Sequence, residues 1–218
     1  MIPFNPLEVN EHIEKLLDLI DSEFDPEIIP VRNEPNAKLH NCYLNVDEKV
    51  KRDGGKVHYG WAIFQSKIIC EAERHAIWES PNGEFIDITP REFKFEEIMF
   101  VFDNDFIYTG QLIDNIRVNV TTNTTIDDFI KLCETLEKFY TYGVRIDDEQ
   151  MIVPEPAMTF IKQYENLKLQ FQLFLAQGGT PESHCFCGEK IKYKNCHGKP
   201  IKARFINDLM TVKKALKK

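Results

Sequence analysis

Apolar and polar positions change period several times along the chain, and each change marks an element. Asn5-Pro6 pairs a capping side chain with a first-turn proline. Val9, Ile13, Leu16, Leu17 and Ile20 then recur at helical spacing, which predicts a helix over 6–21 with one apolar face. Pro26 and Pro30 bracket a strand-like Ile28-Ile29, and 33–37 reads as loop. The stretch from Leu39 through Val50 to the turn at Asp53-Gly54-Gly55 reads as a short helix with Cys42 near its N-terminus. Period two then takes over. Val57 to Gln65, carrying Trp61, and Ile68 to Glu79, carrying His75, both alternate. Ser80-Pro81-Asn82-Gly83 holds an Asn-Gly turn, and Phe85 to Ile88 is a short strand carrying Asp87 and closed by Pro90. Together these segments predict an antiparallel meander.

Beyond Pro90 the runs Ile98 to Phe102, Phe106 to Tyr108 and Ile116 to Val120 read as further sheet. Thr125 caps a helix over Asp127 to Tyr140, with Phe129, Ile130, Cys133, Leu136 and Phe139 on one face. Met151-Ile152-Val153 is a short strand or linker. A long helix from Ala157 to Gln177 ends at Gly178-Gly179, and its aromatic stripe of Phe160, Tyr164, Phe171 and Phe174 suits packing. The expected fold class is α+β: an antiparallel or mixed sheet flanked by helices over 1–178, a hinge over 179–184, a small cysteine-rich knuckle over 185–198, and a basic amphipathic tail over 199–218.

Composition adds bounds to that outline. With 218 residues and 43% hydrophobic content, the chain can bury one substantial core and a small appendage. No apolar run approaches the roughly 18 to 20 residues that span a bilayer, and no basic and apolar leader opens the sequence. A cytoplasmic protein with no membrane partner is expected. Three cysteines outside the knuckle (Cys42, Cys70 and Cys133) form an odd set suited to reduced thiols. Charge is unevenly placed: residues 189–218 hold ten Lys or Arg against two acids, net +8, so with −8 overall the first 188 carry −16. In the tail, Phe205, Ile206, Leu209, Met210, Val212 and Leu216 alternate with Lys202, Arg204, Lys213, Lys214, Lys217 and Lys218. That pattern fits a helix docked on its own domain, or one presented to an acidic partner or ribosomal RNA through charge alone.

Between Cys185 and Gly198 the spacing is Cys-x-Cys-x8-Cys-His, three thiols and an imidazole in fourteen positions. A segment this short cannot bury a core. Four ligands (Cys185, Cys187, Cys196 and His197) closing a tetrahedron around Zn²⁺ supply the folding energy and leave no coordination position open, which makes the zinc structural. The segment resembles the SEC-C motif, a zinc knuckle at the end of the preprotein translocase ATPase and of other bacterial proteins. The resemblance rests on Cys185, Cys187, Gly188, Tyr193, Lys194, Cys196, His197 and Gly198, and departs at Phe186, Glu189 and Lys190. It implies a recognition module, with a protein partner met through the knuckle and basic tail.

The order Cys42, His75, Asp87 suggests chemistry of a second kind. A thiol at a helix N-terminus, an imidazole on one strand and a carboxylate on the next are a nucleophile, a base and an orienter. With the hairpin centred on Asn82-Gly83, residues whose numbers sum to about 165 face each other. Asp87 then lies near Trp78 and His75 near Arg91, and a wider loop or a bulge is needed to bring Asp87 beside His75. Over about 38–92 the chain resembles transglutaminase-like and papain-like cysteine hydrolases, on Asn41-Cys42, His75-Ala76-Ile77-Trp78 and Asp87-Ile88-Thr89-Pro90. The resemblance implies attack by Cys42 on an amide or ester carbonyl, proton transfer by His75 and orientation by Asp87. It places the oxyanion at the Cys42 N–H with Asn41 or His40, giving hydrolysis, deamidation or acyl transfer. The residues equally fit a buried apolar Cys42 and a strand histidine satisfied by Glu73 or Glu79, in a non-catalytic zinc-knuckle adaptor. A second metal site at His40, His58 and His75 has no recognised spacing.

Overall fold

The computed structural model describes residues 2–145 and 151–217; Lys218, counted above in the basic tail, lies outside them. The chain divides into two compact units, one of 2–111 with 115–118, the other of 112–114 with the chain from Asn119 onward. No helix among the described residues is long and apolar enough to cross a membrane.

The first unit contains α1 (Glu11–Ile20), β1 (Glu27–Pro30), α2 (Cys42–Asp53), β2 (Lys56–Gln65), β3 (Ile69–Glu79), β4 (Phe85–Ile86), β5 (Glu97–Phe102) and β6 (Ile116–Asn119), the last of which ends at the unit boundary. The strands pair antiparallel in the order β1-β5-β2-β3-β4, with β6 also on β3. The two ends of this path meet at Asp87, whose N–H donates to the Pro30 carbonyl (2.9 Å) and whose carbonyl accepts from the Arg32 N–H (2.9 Å). A sheet linked to itself in this way has an inner face, and Ile29, Ala62, Phe64, Ile77, Ile98, Phe100 and Phe102 fill it. On the other face α2 covers Ala76, Trp78, Ile86 and Ile88 with Cys42 and Val46. The α+β class with an antiparallel sheet flanked by helices is therefore observed.

Three local expectations are corrected. The first helix starts at Glu11, because the Asn10 side chain accepts from the His12 and Ile13 N–H groups; Asn5 instead accepts from the Met99 N–H (2.6 Å), tying the N-terminal segment to β5. Residues 106–108 form no strand. Two of their side chains pack as rings instead, Tyr108 stacked on Tyr43 at 3.9 Å and Phe106 against the Arg74 guanidinium at 4.2 Å, while Ile107 is exposed. Third, the hairpin between β3 and β4 has the three-residue loop Pro81-Asn82-Gly83. Ser80 N–H donates to the Glu84 carbonyl, Gly83 N–H donates to the Ser80 carbonyl, and Gly83 takes φ +83°, the left-handed position such loops give to glycine.

The second unit holds α3 (Thr125–Tyr140), the short ribbon β7 (Val144–Arg145) with β8 (Met151–Ile152), α4 (Glu155–Ala176), a 3₁₀ turn at Tyr193–Asn195 and α5 (Ile201–Ala215). The sequence placed the start of α3 two residues too late; Asn123 Oδ1 accepts from the Thr125 N–H and the helix begins there. Phe139, Tyr164 and Phe205 join α3, α4 and α5, with ring centroids 5.0 and 5.4 Å apart, and the Tyr164 hydroxyl donates to Asp208 (2.9 Å). The C-terminal helix is thus docked by Ile201, Phe205 and Val212 on its own unit, while Ile206 and Met210 stay exposed.

Candidate functional site

The hairpin loop decides where the acid lies. Trp78 pairs with Ile86 and Glu79 with Phe85, so facing residues sum to 164. One residue of register exchanges the two faces of a strand. Continued by one residue, this register puts Asp87 opposite Ile77, on the inner face and diagonal to His75, where cross-strand side chains reach each other. The sheet-closing backbone bonds of Asp87 then hold it there. His75 Nε2 donates to Asp87 Oδ1 at 2.9 Å, and the same oxygen accepts from the Thr89 N–H at 3.0 Å. His75 is 1% and Asp87 0% exposed.

Arg91 completes this group, and the sequence reading gave it no role. Its Nη1 donates to Glu73 (3.0 Å), its Nε lies 3.6 Å from Asp87 Oδ2, and its guanidinium covers the Phe64 ring at 4.6 Å. Its Nη2 lies 3.3 Å from His75 Nε2. Since that nitrogen gives its proton to Asp87, the approach is one of like charges. The signal available in the sequence was the i, i+4 spacing of Asp87 and Arg91. Burial pulls the His75 pKa down, but the charges of Asp87 and Cys42 outweigh it and push the imidazole up to about 10. Burial also acts to raise Asp87, and its attraction to His75 and Arg91 holds the carboxyl below its ordinary value. The pair is a buried imidazolium and carboxylate.

Cys42 is the first residue of α2, where backbone N–H groups lack intrahelical partners. Asn45 braces the entry to this helix: its side chain accepts from the Lys38 N–H, donates to the Lys38 carbonyl (2.8 Å) and donates to Thr89 Oγ1 (3.2 Å). The entry residue His40 adopts φ +63°. Cys42, His40, His75, Thr89 and Arg91 line one cleft of about 420 Å³ within the first unit. The structure therefore brings Cys42, His75 and Asp87 into one neighbourhood. It forms no thiol–imidazole hydrogen bond, since His75 Nδ1 is buried without a partner among the described residues. Cys70, by contrast, is pushed up to about 12, chiefly by burial. The proposed set of His40, His58 and His75 is not assembled: His58 bonds Glu79 (2.6 Å), and the metal-competent group among the described residues lies elsewhere.

That group is Cys185, Cys187, Cys196 and His197, with all four ligand atoms within 4.8 Å of one another. Cys187 and Cys196 sulfurs are 3.7 Å apart, and His197 Nδ1 is 3.2 Å from Cys185 Sγ and 3.5 Å from Cys196 Sγ. A sulfur pair at this distance is not a disulfide, which requires about 2.05 Å. It matches the ~3.8 Å edge of a tetrahedron with metal–sulfur bonds of about 2.3 Å. The donor set and its spacing fit one tetrahedral metal ion. The loop is shaped by Gly188 at φ +88° and by Gly198, where an added Cβ would lie 2.7 Å from the Tyr193 ring. Phe186 and Tyr193 pack on Phe171 and Phe174 of α4, and the Tyr193 hydroxyl donates to Asp128 (3.0 Å). Backbone bonds from Tyr193 and Lys194 to the Ser183 and Pro181 carbonyls tie residues 181–183 to the knuckle. Comparison of the chain with family models, with curated proteins and with solved structures found no match.

Proposed function

We propose that the first unit is a cysteine hydrolase or acyltransferase of the transglutaminase-like and papain-like kind, and that the second carries a structural zinc knuckle of the SEC-C kind that directs it to a protein partner. The observation that carries the catalytic reading is the buried His75–Asp87 pair at 2.9 Å, facing a cleft whose wall includes the helix-start thiol of Cys42. The Cys42 thiolate attacks the carbonyl carbon of an amide or ester. The oxyanion is met by the Cys42 N–H, and the carbon–nitrogen or carbon–oxygen bond breaks as His75 gives its proton to the leaving group. Water, losing a proton to His75, then cleaves the thioester; a different nucleophile in its place gives acyl transfer. Asp87 holds the imidazole by Nε2 and leaves Nδ1 as the nitrogen that exchanges the proton.

Zinc suits the knuckle because three thiolates and an imidazole in a closed tetrahedron are a structural zinc set, with no position left for substrate. One observation favours the rival reading, a non-catalytic adaptor: His75 Nδ1 is buried without a partner among the described residues. An apo site tightens on substrate, so the two readings differ in reactivity rather than in resting geometry. The test is p-nitrophenyl acetate. The catalytic reading predicts a burst of one p-nitrophenol per chain with acetyl found on Cys42, lost in Cys42→Ala; an adaptor gives no burst above that variant.

A further inference from the structure

The cleft beside Cys42 has walls of two kinds. One wall is apolar: Pro3, Phe64, Pro90, Phe93 and Phe95, with Phe64 and Phe95 rings 5.1 Å apart and Phe93 left 41% exposed. The rest of the lining carries charge, most of it held in ion pairs, while Arg74 keeps Nε and Nη1 buried without a hydrogen bond among the described residues, its guanidinium against the Trp61 and Phe106 rings. Glu71 is held by Arg117 (2.7 Å) and Asn115 (2.9 Å), Glu73 by Arg91 (3.0 Å), and Arg74 by Asp103 (2.6 Å). At the rim Glu92 is exposed. An incoming carboxylate would compete with Glu71, Glu73 and Asp103 for cations already engaged and would meet Glu92 besides. An uncharged apolar group would displace water from the aromatic wall and disturb no ion pair. A volume of about 420 Å³ suits a ligand with a ring, and such sites combine apolar walls with few polar groups.

From this we infer that the acyl group presented to Cys42 is neutral and apolar, aromatic or branched, and lies against Phe93, Phe95 and Pro90. The inference names a substrate class for the proposed hydrolase site and rests on that reading. Acyl groups bearing a carboxylate are discriminated against, and small acyl groups leave the wall hydrated.

The test uses the full chain loaded with zinc and three alkylating probes: iodoacetamide, N-benzyliodoacetamide and iodoacetate. Rates at Cys42 are read by peptide mass spectrometry and divided by the rates with glutathione, which removes intrinsic reactivity. The expected result is a preference of about tenfold or more for the benzyl reagent over iodoacetamide, the order expected of an apolar pocket, with iodoacetate slowest. In Phe93→Glu the benzyl preference collapses toward the glutathione ratio. A ratio equal to that of glutathione in the native chain, or a preference untouched by Phe93→Glu, overturns the inference. A second readout does not depend on the thiol: N-benzylacetamide, which cannot alkylate, is titrated while the backbone amide signals of His75 and Phe93 are followed by NMR. Saturable shifts with an unreactive Cys42 support the apolar subsite and count against catalysis alone. Absence of saturable shifts overturns the subsite whatever the thiol does.

Discussion

Asp87→Ala is the most severe single change available in the first unit. Asp87 is fully buried and receives the His75 ring proton, the Thr89 N–H and the flank of Arg91. Its removal leaves a buried imidazole and guanidinium without their shared counter-charge. Breaking a buried ion pair from one side costs about 3–5 kcal/mol. Trp61 and Trp78 are the two tryptophans of the chain and both lie in this unit, so tryptophan fluorescence in urea reports its unfolding. With a slope of about 1–3 kcal/mol per molar urea, the midpoint should fall by roughly 2 M. The pH dependence gives the sign. Asp87 lies below its ordinary 3.8, so its contribution is present above that value and lost as pH falls through the native pKa. His75 is raised from 6.5 to about 10, so its contribution is whole below 6.5 and drains away as pH rises toward about 10. The native chain should hold its plateau between pH 3.8 and 6.5 and lose stability on both flanks; Asp87→Ala should remove the acid flank and abolish or reverse the basic one, since burial and Arg91 then act on His75 without Asp87 to offset them. A loss under about 1 kcal/mol, or unchanged flanks, refutes the reasoning.

Metal analysis should find one zinc per chain, and chelation should make Cys185, Cys187 and Cys196 reactive to a disulfide reagent where they were shielded; Cys187→Ser should lose the metal. Gly198→Ala should destabilise the second unit by about 1–3 kcal/mol in thermal unfolding, because its Cβ lies 2.7 Å from the Tyr193 ring and 3.0 Å from the Tyr193 carbonyl oxygen. Asn45→Ala should cost about 1–3 kcal/mol in the first unit, since it removes the side-chain hydrogen bonds to Lys38 and Thr89, and should slow Cys42 alkylation by loosening the entry to α2.

How much of this was legible in the sequence depends on the kind of signal. The grouping of Cys185, Cys187, Cys196 and His197 was legible, since these residues fall within fourteen positions and local spacing brings them together. The strands around Trp61 and His75 followed from period two, and Cys42 at a helix start followed from the turn residues on either side. The pairing of Asp87 with His75 was legible in the order Cys42, His75, Asp87, but the register that delivers it was not, because it turns on one loop residue: Asn82-Gly83 suits a two-residue turn, and Pro81 makes the loop three by taking the first corner of a turn closed at Gly83. Asn5-Pro6 looked like a cap in isolation, yet Asn10 serves and Asn5 is used across the sheet by Met99. The hairpin register already set Arg91 near His75, but its role was not legible, since its partners Glu73, His75 and Asp87 meet only after the sheet closes on itself.

The central claim is that Cys42 is an activated nucleophile, and the rate of its alkylation against pH in zinc-loaded protein tests this most directly. Peptide mass spectrometry reads Cys42 beside Cys70 and Cys133, and the profile is repeated in His75→Ala. An activated Cys42 reacts near neutral pH faster than Cys133, and His75→Ala slows it, while Cys70 stays inert near neutrality. A Cys42 that reacts no faster than Cys133, at a rate that His75→Ala does not change, contradicts the claim and makes the unit a scaffold for the knuckle.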